Sequence, residues 1–391
     1  MKRLLIVTPC NIYPHNHGGK IDIYNSLLQI SHANIDLTID LLYCDYRSHC
    51  DGVDDLLKKE LNLANIYYLP IKKNKFLSLI YLFRLKPNYC MLYRGLKAFS
   101  FTKKYDYVLI HGFHADSIIS NPHLSEAKFI YRMHNYEFYY SRKKIKFEVG
   151  LLNKAVRLLD AYKIKFRELK LLRFVHSILF ISYKEYLFFN AGFGSKSYFL
   201  PTYQNDVSIS SFDLSKHKFG QILFVGNLFT GYNLHGLYWY LENVHPILKE
   251  ASKEYTFCIV GNSAGFEITR LKNMIKEDER VFLYENVESL SDFYQQSIVF
   301  INPMQNGAGV KIKTLDALKN GMPLVSTSIG VEGTGLKNEV HCLVSDDHAS
   351  FAKAILQLMY DRNFAHKLVY NGQSYLQQYF CNTDVIKKIY K

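Results

Sequence analysis

Short apolar runs rich in β-branched residues alternate with helical stretches along the whole chain, and this pattern constrains the fold more than any other feature. Parallel strands form such runs because helical crossovers cover both faces of their sheet. A first series comprises Leu4–Val7, Ile35–Leu42, Tyr107–Ile110, Phe129–Tyr131 and Ser177–Ile181. A second series comprises Gln221–Val225, Thr256–Val260, Val281–Tyr284, Ser297–Ile301 and Leu324–Ser326. The two series predict two doubly wound α/β domains.

The length is consistent with two domains, since 391 residues can build two units that each bury a core. A stretch of turn-forming and polar residues over 201–206 separates the two series of strands. We therefore predict an N-terminal domain over 1–203, a C-terminal domain over 204–372 and a terminal segment over 373–391.

Positive charge is concentrated in the first half of the chain. Of 48 Lys and Arg and 35 Asp and Glu, residues 1–205 hold 30 and 16. Two stretches, 72–86 and 142–173, mix cations with aromatic and aliphatic residues, and the second has 11 basic against 3 acidic residues. This mixture favours contact with an anionic membrane surface or a lipid-linked substrate. A solvated basic face is the main alternative, and we predict no nucleic-acid partner.

Membrane-spanning and disulfide-rich classes are disfavoured. No uncharged apolar run reaches about 18 residues, and the N-terminal apolar run is too short for a signal peptide. The seven cysteines include no Cys-x-x-Cys pair, so neither a disulfide framework nor a zinc site is indicated. We expect a cytoplasmic protein, at most peripheral at the inner face of the cytoplasmic membrane.

The segment from Pro303 to Val325 joins a strand end, a glycine turn, two lysines and a helix that carries an acid. Gly307 and Gly309 allow backbone N–H groups to approach a phosphate, and the following helix start favours negative charge. Lys311 and Lys313 lie at that helix start, where cations oppose the helix dipole unless an anion is bound. The segment therefore predicts a site for a nucleotide diphosphate, with Asp316 placed to accept hydrogen bonds from ribose.

Four motifs in this order resemble the donor-binding signature of GT-B glycosyltransferases, specifically the retaining family 4 type (glycosyl transferases group 1). They are Gly-x-Gly at 307–309, Ile-Lys-Thr-Leu-Asp-Ala at 312–317, Gly-Met-Pro-Leu-Val at 321–325 and Gly-Val-Glu-Gly at 330–333. The resemblance implies two Rossmann-like domains facing an interdomain cleft. It also implies a nucleotide-diphosphate sugar as co-substrate, no cofactor or metal, and a terminal segment that packs back on the first domain.

The resemblance further assigns roles to individual residues. Implied donor-binding residues are Gly18, Gly19, Gly226, Asn227, Val287, Gly307, Gly309, Lys311, Lys313, Thr314, Leu315, Asp316 and Glu332. His134, Lys313 and Asp316 are the implied catalytic residues. Residues on the acceptor side are His15, His17, Asn135 and Glu137.

In the first domain, two loops follow predicted strands. Gly18 and Gly19 open a helix, where backbone amides can approach a phosphate or sugar. His134 follows the run Phe129–Tyr131 in a His-Asn-x-Glu pattern similar to the family motif whose histidine lies beside the transferred sugar. His111, at the end of the preceding strand, is the alternative histidine.

The chain departs from the family pattern in two places. Many relatives carry an arginine and a lysine after the first strand of the second domain, whereas this chain has Asn227 and Asn233. Asn306 and Asp316 stand where two glutamates are common.

From the resemblance as a whole, we predict a retaining glycosyltransferase acting on a glycan or lipid-linked acceptor in cell-surface polysaccharide synthesis. A non-catalytic nucleotide-binding protein and a sugar-nucleotide epimerase are the alternatives.

Overall fold

The computed structural model describes residues 2–14, 18–46, 51–72, 87, 89–145, 148–205, 207–209, 220–252, 254–307 and 309–390. Contacts divide the chain into two compact units. One comprises Met1–Tyr203 with Asn382–Lys391, and the other comprises Gln204–Cys381. His15, His17 and residues 73–86 of the first basic stretch lie outside the described residues.

The first unit is built on a parallel sheet in the order β3-β2-β1-β4-β5-β6-β7. Its strands are β1 (Lys2–Thr8), β2 (Leu37–Asp45), β3 (Asn65–Pro70), β4 (Tyr107–His111), β5 (Lys128–Met133), β6 (Ser177–Phe180) and β7 (Ser197–Phe199). Its helices are α1 (Gly18–His32), α2 (Asp51–Leu61), α3 (Glu137–Lys144), α4 (Leu151–Phe174) and α5 (Tyr183–Phe193). Strand order reverses between β1 and β4, which is where ligands collect in open α/β sheets.

The second unit contains a parallel sheet in the order β10-β9-β8-β11-β12-β13. Its strands are β8 (Gln221–Val225), β9 (Thr256–Gly261), β10 (Val281–Glu285), β11 (Val299–Asn302), β12 (Leu324–Ser326) and β13 (Leu343–Val344). Its helices are α6 (Gly231–Trp239), α7 (His245–Ala251), α8 (Thr269–Ile275), α9 (Ser291–Gln296), α10 (Ile312–Lys319), α11 (His348–Tyr360) and α12 (Arg362–Phe380).

Two parallel sheets with helical crossovers confirm the predicted α/β fold class. The edge strands β3, β7 and β13 had no counterpart in the predicted series. Strand β3 is mostly half-buried and β7 and β13 have three and two residues, so these edges lack the long apolar run that marks a central strand.

The C-terminal end is shared between the units. Helix α12 runs without interruption to Phe380, because its apolar face packs in the second unit through residues such as Leu368 and Leu376. The second unit therefore extends to Cys381, beyond the predicted boundary at 372. The last helix, α13 (Asp384–Tyr390), packs on the first sheet, with the Tyr390 ring centroid 5.2 Å from that of Tyr107.

No helix within the described part of the chain combines the length and the apolar character needed to cross a bilayer.

Each sheet has a hydrophobic cluster on both faces. The carboxyl ends of the central strands in each unit carry the polar residues that concern function.

Candidate functional site

The turn between β11 and α10 is held from beneath by a buried hydrogen-bond network. Asn302, the last residue of β11, donates from Nδ2 to the Thr314 hydroxyl at 2.9 Å and to the carbonyl of Gly330. The Thr314 hydroxyl in turn donates to the same carbonyl at 2.8 Å. The side chain of Thr314 therefore fixes the start of α10 against the loop at 330 and is not placed to contact a ligand.

Above this network, the predicted glycine turn has the backbone conformation that requires glycine. Gly307 has φ of +134° and Gly309 has φ of +75°, a region that L side chains rarely adopt. Lys311 folds back over the turn, and its Nζ donates to the carbonyl of Gly309 at 2.5 Å. The Lys311 side chain is only 8% exposed. One of the two predicted lysines therefore lies directly on the turn.

Lys313 reaches the same end of the sheet from the first turn of α10. Its Nζ donates to Oδ1 of Asn233 at 2.7 Å and lies 4.3 Å from the centre of the Phe224 ring. Burial, together with the positive charge of Lys311, lowers the pKa of Lys313 to about 7. Two cations of this kind are stabilised when an anion binds between or beside them.

Asn233 occupies a position where the family pattern places a charged clamp residue, and it contacts Lys313 instead. Its amide donates from Nδ2 to the carbonyl of Asn227 at 2.9 Å while its oxygen accepts from Lys313. A Cβ on Gly226 would lie 3.0 Å from the same Nδ2. The residues Gly226, Asn227 and Asn233 after β8 are thus connected to Lys313 after β11.

Asp316 is half-buried on α10, next to a core residue. Burial raises the pKa of Asp316 to about 6, although Lys319 opposes that shift. Leu315 is fully buried in the hydrophobic core, so its side chain has a packing role. Val287 and Glu332 are half-buried in loops of the same unit.

In the first unit, the structure brings both candidate histidines together. His134 follows β5 and His111 ends β4, and the distance between His134 Nε2 and His111 Nδ1 is 3.2 Å. His111 Nε2 lies 3.1 Å from the hydroxyl of Ser26 on α1. The His134 side chain is 14% exposed, whereas His111 is fully buried. His134 is therefore the member of the pair that a ligand can reach.

A buried ion pair that motif reading did not identify supports these histidines. Arg132 donates to both carboxylate oxygens of Asp22, from Nη2 at 2.7 Å and from Nε at 2.9 Å. Burial alone would raise the pKa of Asp22, but the Arg132 guanidinium holds it well below its usual range. The Asp22 Oδ2 atom lies 3.5 Å from His134 Nε2. An arginine inside the apolar strand β5 was the one sequence signal for this pair.

These contacts indicate the charge state of both histidine rings and the nitrogen of His134 that carries the proton. Burial lowers the pKa of His111 and of His134, which leaves both neutral at pH 7. Since Asp22 is ionised and can only accept, its carboxylate 3.5 Å from His134 Nε2 favours the tautomer in which Nε2 carries the proton. Nδ1 of His134 is then left as a hydrogen-bond acceptor.

Asp22, His111 and His134 also offer three potential metal-ligand atoms within 4.8 Å of one another. Sequence spacing gave no sign of this cluster, because its members come from α1, β4 and the loop after β5. Arg132 already neutralises Asp22 and adds positive charge beside any cation placed there. The donor set therefore suits the observed ion pair better than a metal ion.

The other predicted residues of this unit have mixed surroundings. Glu137 begins α3, is mostly buried, and has a pKa raised to about 7 by burial. Its amide donates to the carboxyl group of Glu168 at 3.2 Å, so it lies beside a second acid. Asn135 is half-buried next to His134, and Gly18 and Gly19 are exposed at the start of α1.

We expect Thr202→Val to weaken the support beneath His134. The Thr202 hydroxyl is fully buried and donates to Asp22 Oδ1 at 2.7 Å. Losing a donor to a buried carboxylate costs about 1–3 kcal/mol. Hydrogen exchange of the β5 amides should show this loss, whereas the exposed Thr102→Val should leave it unchanged. Equal protection in both variants would contradict the role of Thr202.

Comparisons with known proteins show the family of the chain. The model of the family "Glycosyl transferases group 1" matches residues 220–361, which include the turn at 307–309 and α10. A Klebsiella pneumoniae protein described as an uncharacterized 44.6 kDa protein in cps region is 30% identical over 403 residues, covering 100% of both chains.

Solved structures share the fold over the full chain. An S. aureus TarM variant in complex with Fondaparinux, alpha-GlcNAc-glycerol and UDP is 12% identical, with a TM-score of 0.64 covering 100% of this chain and 99% of that one. Anabaena HepE in complex with UDP-glucose is 12% identical, with a TM-score of 0.63 covering 99% and 97%. The chain belongs to the glycosyl transferases group 1 and has the GT-B fold.

Proposed function

We propose that this chain transfers a sugar from a nucleotide-diphosphate donor to a hydroxyl of a glycan or lipid-linked acceptor, with retention at the anomeric carbon. The observation that carries the proposal is the pair of Lys311, on the glycine turn, and Lys313, on the first turn of α10, at the carboxyl edge of the second sheet. Burial and the neighbouring lysine depress the pKa of Lys313, and a bound diphosphate would relieve that cost.

In the proposed reaction, the bond between C1 of the sugar and the phosphate oxygen breaks through an oxocarbenium-like state. Lys311, Lys313 and the amides of the turn at 307–309 stabilise the charge that develops on the leaving diphosphate. The acceptor hydroxyl forms the new bond to C1 on the same face. Its proton passes to the departing phosphate oxygen, so the reaction needs no protein base and we propose no metal.

The remaining site residues hold the substrates. Asp316 accepts from the ribose hydroxyls, and Glu332 and the backbone at Val287 complete the nucleotide contacts. His134 accepts a hydrogen bond from a sugar hydroxyl through Nδ1, supported by the neutral ring and the proton on Nε2. Gly18 and Gly19 offer amides to the donor phosphates, and Asn135 and Glu137 shape the acceptor side.

The relatives suggest the chemical setting of the reaction. UDP is present in the TarM complex and UDP-glucose in the HepE complex, which supports a uridine nucleotide as the first donor to test. The Klebsiella relative in the cps region supports a role in capsule-type surface polysaccharide synthesis. We also propose that the enzyme acts in the cytoplasm at the inner face of the cytoplasmic membrane, which is supported by its basic first half.

One observation favours a second candidate, a non-catalytic nucleotide-binding protein. Asn233, which accepts a hydrogen bond from Lys313, is a neutral residue at a position where many relatives have a cation. Thermal-shift measurements with UDP, GDP, ADP and their sugar conjugates, followed by donor hydrolysis assays with the best ligand, separate the two. Binding without hydrolysis or transfer would favour the second candidate. Absence of any nucleotide binding would contradict both.

We expect the affinity for UDP-glucose to fall as the pH rises above about 7. Binding favours the charged form of Lys313. Above the pKa of Lys313 in the ligand-free protein, binding must be accompanied by the uptake of one proton. The affinity therefore falls by up to about tenfold per pH unit. The diphosphate diester has no titrating group in this range. Calorimetry in two buffers of different ionisation enthalpy measures the proton uptake. Lys313→Met should remove the pH dependence, and its persistence would contradict the assignment.

A further inference from the structure

A long helix in the first unit has an apolar face that no described part of the chain covers. On α4, exposed apolar residues extend along the length of the helix, from Leu151 at 87% exposed through Phe166 at 71% to Phe174 at 54%. The face consists of Leu151, Leu152, Leu159, Tyr162, Phe166 and Phe174. Water-facing helix surfaces are normally polar, so an apolar stripe of this length indicates contact with another surface.

Aromatic contacts connect this stripe to two neighbouring helices. The Tyr162 ring contacts Phe138 of α3 at a centroid distance of 5.5 Å. Tyr136, which precedes α3, contacts Phe188 of α5 at 6.1 Å. Phe188 is 69% exposed. We call the exposed surface of α3, α4 and α5 the apolar–basic face.

Cations surround the aromatic rings of this face. Lys165 Nζ lies 5.2 Å from the centre of the Phe138 ring, and the Nζ atoms of Lys143 and Lys184 lie 4.8 and 6.0 Å from the Tyr139 ring. The acidic residues nearby offset this charge only partly. Helices α3, α4 and α5 together hold 11 Lys and Arg against four acids, which are Glu137, Asp160, Glu168 and Glu185. The face therefore combines apolar groups with a net positive charge.

We infer that the apolar–basic face docks on an anionic lipid bilayer, with its aliphatic and aromatic groups inserted between headgroups and its cations on the headgroup phosphates. The choice of a bilayer rests on the proposed function, whose acceptor can be lipid-linked. Amphipathic helices with Lys and Arg beside exposed Leu and Phe bind membranes in this way.

Two other occupants fit the face less well. A second copy related by a two-fold axis would place the same patch against itself and bring like charges together. Nucleic acid would match the cations but would leave the aliphatic groups Leu151, Leu152 and Leu159 without a partner. A bilayer satisfies both components.

The test uses the full chain and co-sedimentation with vesicles of phosphatidylcholine, with or without phosphatidylglycerol. Wild-type protein should bind the anionic vesicles, and the double variant Leu152→Ser/Phe166→Ser should bind at least about tenfold more weakly. The control Tyr370→Ser removes an exposed aromatic from a helix of the second unit and should bind normally. The charge variant Lys154→Glu/Lys170→Glu should lose about tenfold, whereas Lys353→Glu should not.

Nucleotide binding by the same variants separates this inference from the proposed function. Variants of the face should keep the UDP affinity of the wild type, which also shows that they fold. Equal vesicle binding by variants and wild type would overturn the inference. A wild type that does not bind vesicles would also overturn it, whether size-exclusion chromatography then shows a dimer that the variants disrupt or a gel-shift assay shows DNA binding that they lose. Vesicle binding by a protein that binds no nucleotide would leave the docking surface standing and refute the proposed function.

Discussion

Lys313→Ala should reduce the affinity for UDP about 100-fold while leaving the affinity for uridine nearly unchanged, because removing one partner of a buried charge pair costs about 2–5 kcal/mol. The ammonium of Lys313 lies at the ligand edge of the second sheet, held by Asn233 and close enough to Lys311 to have its pKa lowered. Uridine carries no phosphate and so does not use this charge. Isothermal titration calorimetry with both ligands measures the difference.

The control for this variant is Lys353→Ala, at an exposed lysine on α11 of the same unit. It removes an equal charge from a residue outside the proposed site and should change the UDP affinity less than about threefold. Equal losses of UDP and uridine affinity in Lys313→Ala would show that the site has been distorted. They would exclude a specific contact between Lys313 and phosphate.

His134→Ala should lower the turnover number about 100-fold and leave the dissociation constant for UDP within about twofold, since a positioned polar group in a reaction site contributes on the order of 10² to the rate. The ring is held through His111 and Asp22, so its accepting nitrogen has a defined direction. The proposed contact is to the sugar and not to the nucleotide. Steady-state transfer assays and UDP titrations measure the two quantities separately.

His123→Ala is the matched control, because His123 is an exposed histidine in the same unit. It should behave as the wild type in both assays. Unchanged turnover in His134→Ala would remove this residue from the site. A parallel loss of UDP affinity would instead indicate a structural effect.

The predictability of the two candidate sites differed for a physical reason. The candidate residues from Gly307 to Asp316 lie within ten positions of one another, so their spacing describes their geometry almost directly. Gly307 and Gly309 have positive φ, Lys311 contacts Gly309, and Lys313 lies close to Lys311. The motif could not show that Thr314 and Leu315 turn their side chains inward, since that depends on what packs beneath the helix.

The histidine site required the folded chain. Arg132 and Asp22 are separated by 110 positions and His111 and His134 by 23, so no local pattern connects them. Sequence position suggested two competing histidines, whereas the structure makes them one hydrogen-bonded pair with His134 on the accessible side. Asn233 is a similar case. The sequence shows only that an amide replaces a cation there, whereas the structure shows that this amide accepts a hydrogen bond from Lys313.

The central strands of both sheets and the position of the lysine-bearing turn could be predicted from the amino-acid sequence, because strand burial and helix starts leave periodic, local signatures. The folded chain was needed to show which polar groups meet at the strand ends of the first sheet, which side chains of α10 face the core, and where the apolar groups of α4 remain exposed. Those properties depend on distances between residues far apart in the chain, and burial then sets the charges and protonation states of the groups that meet.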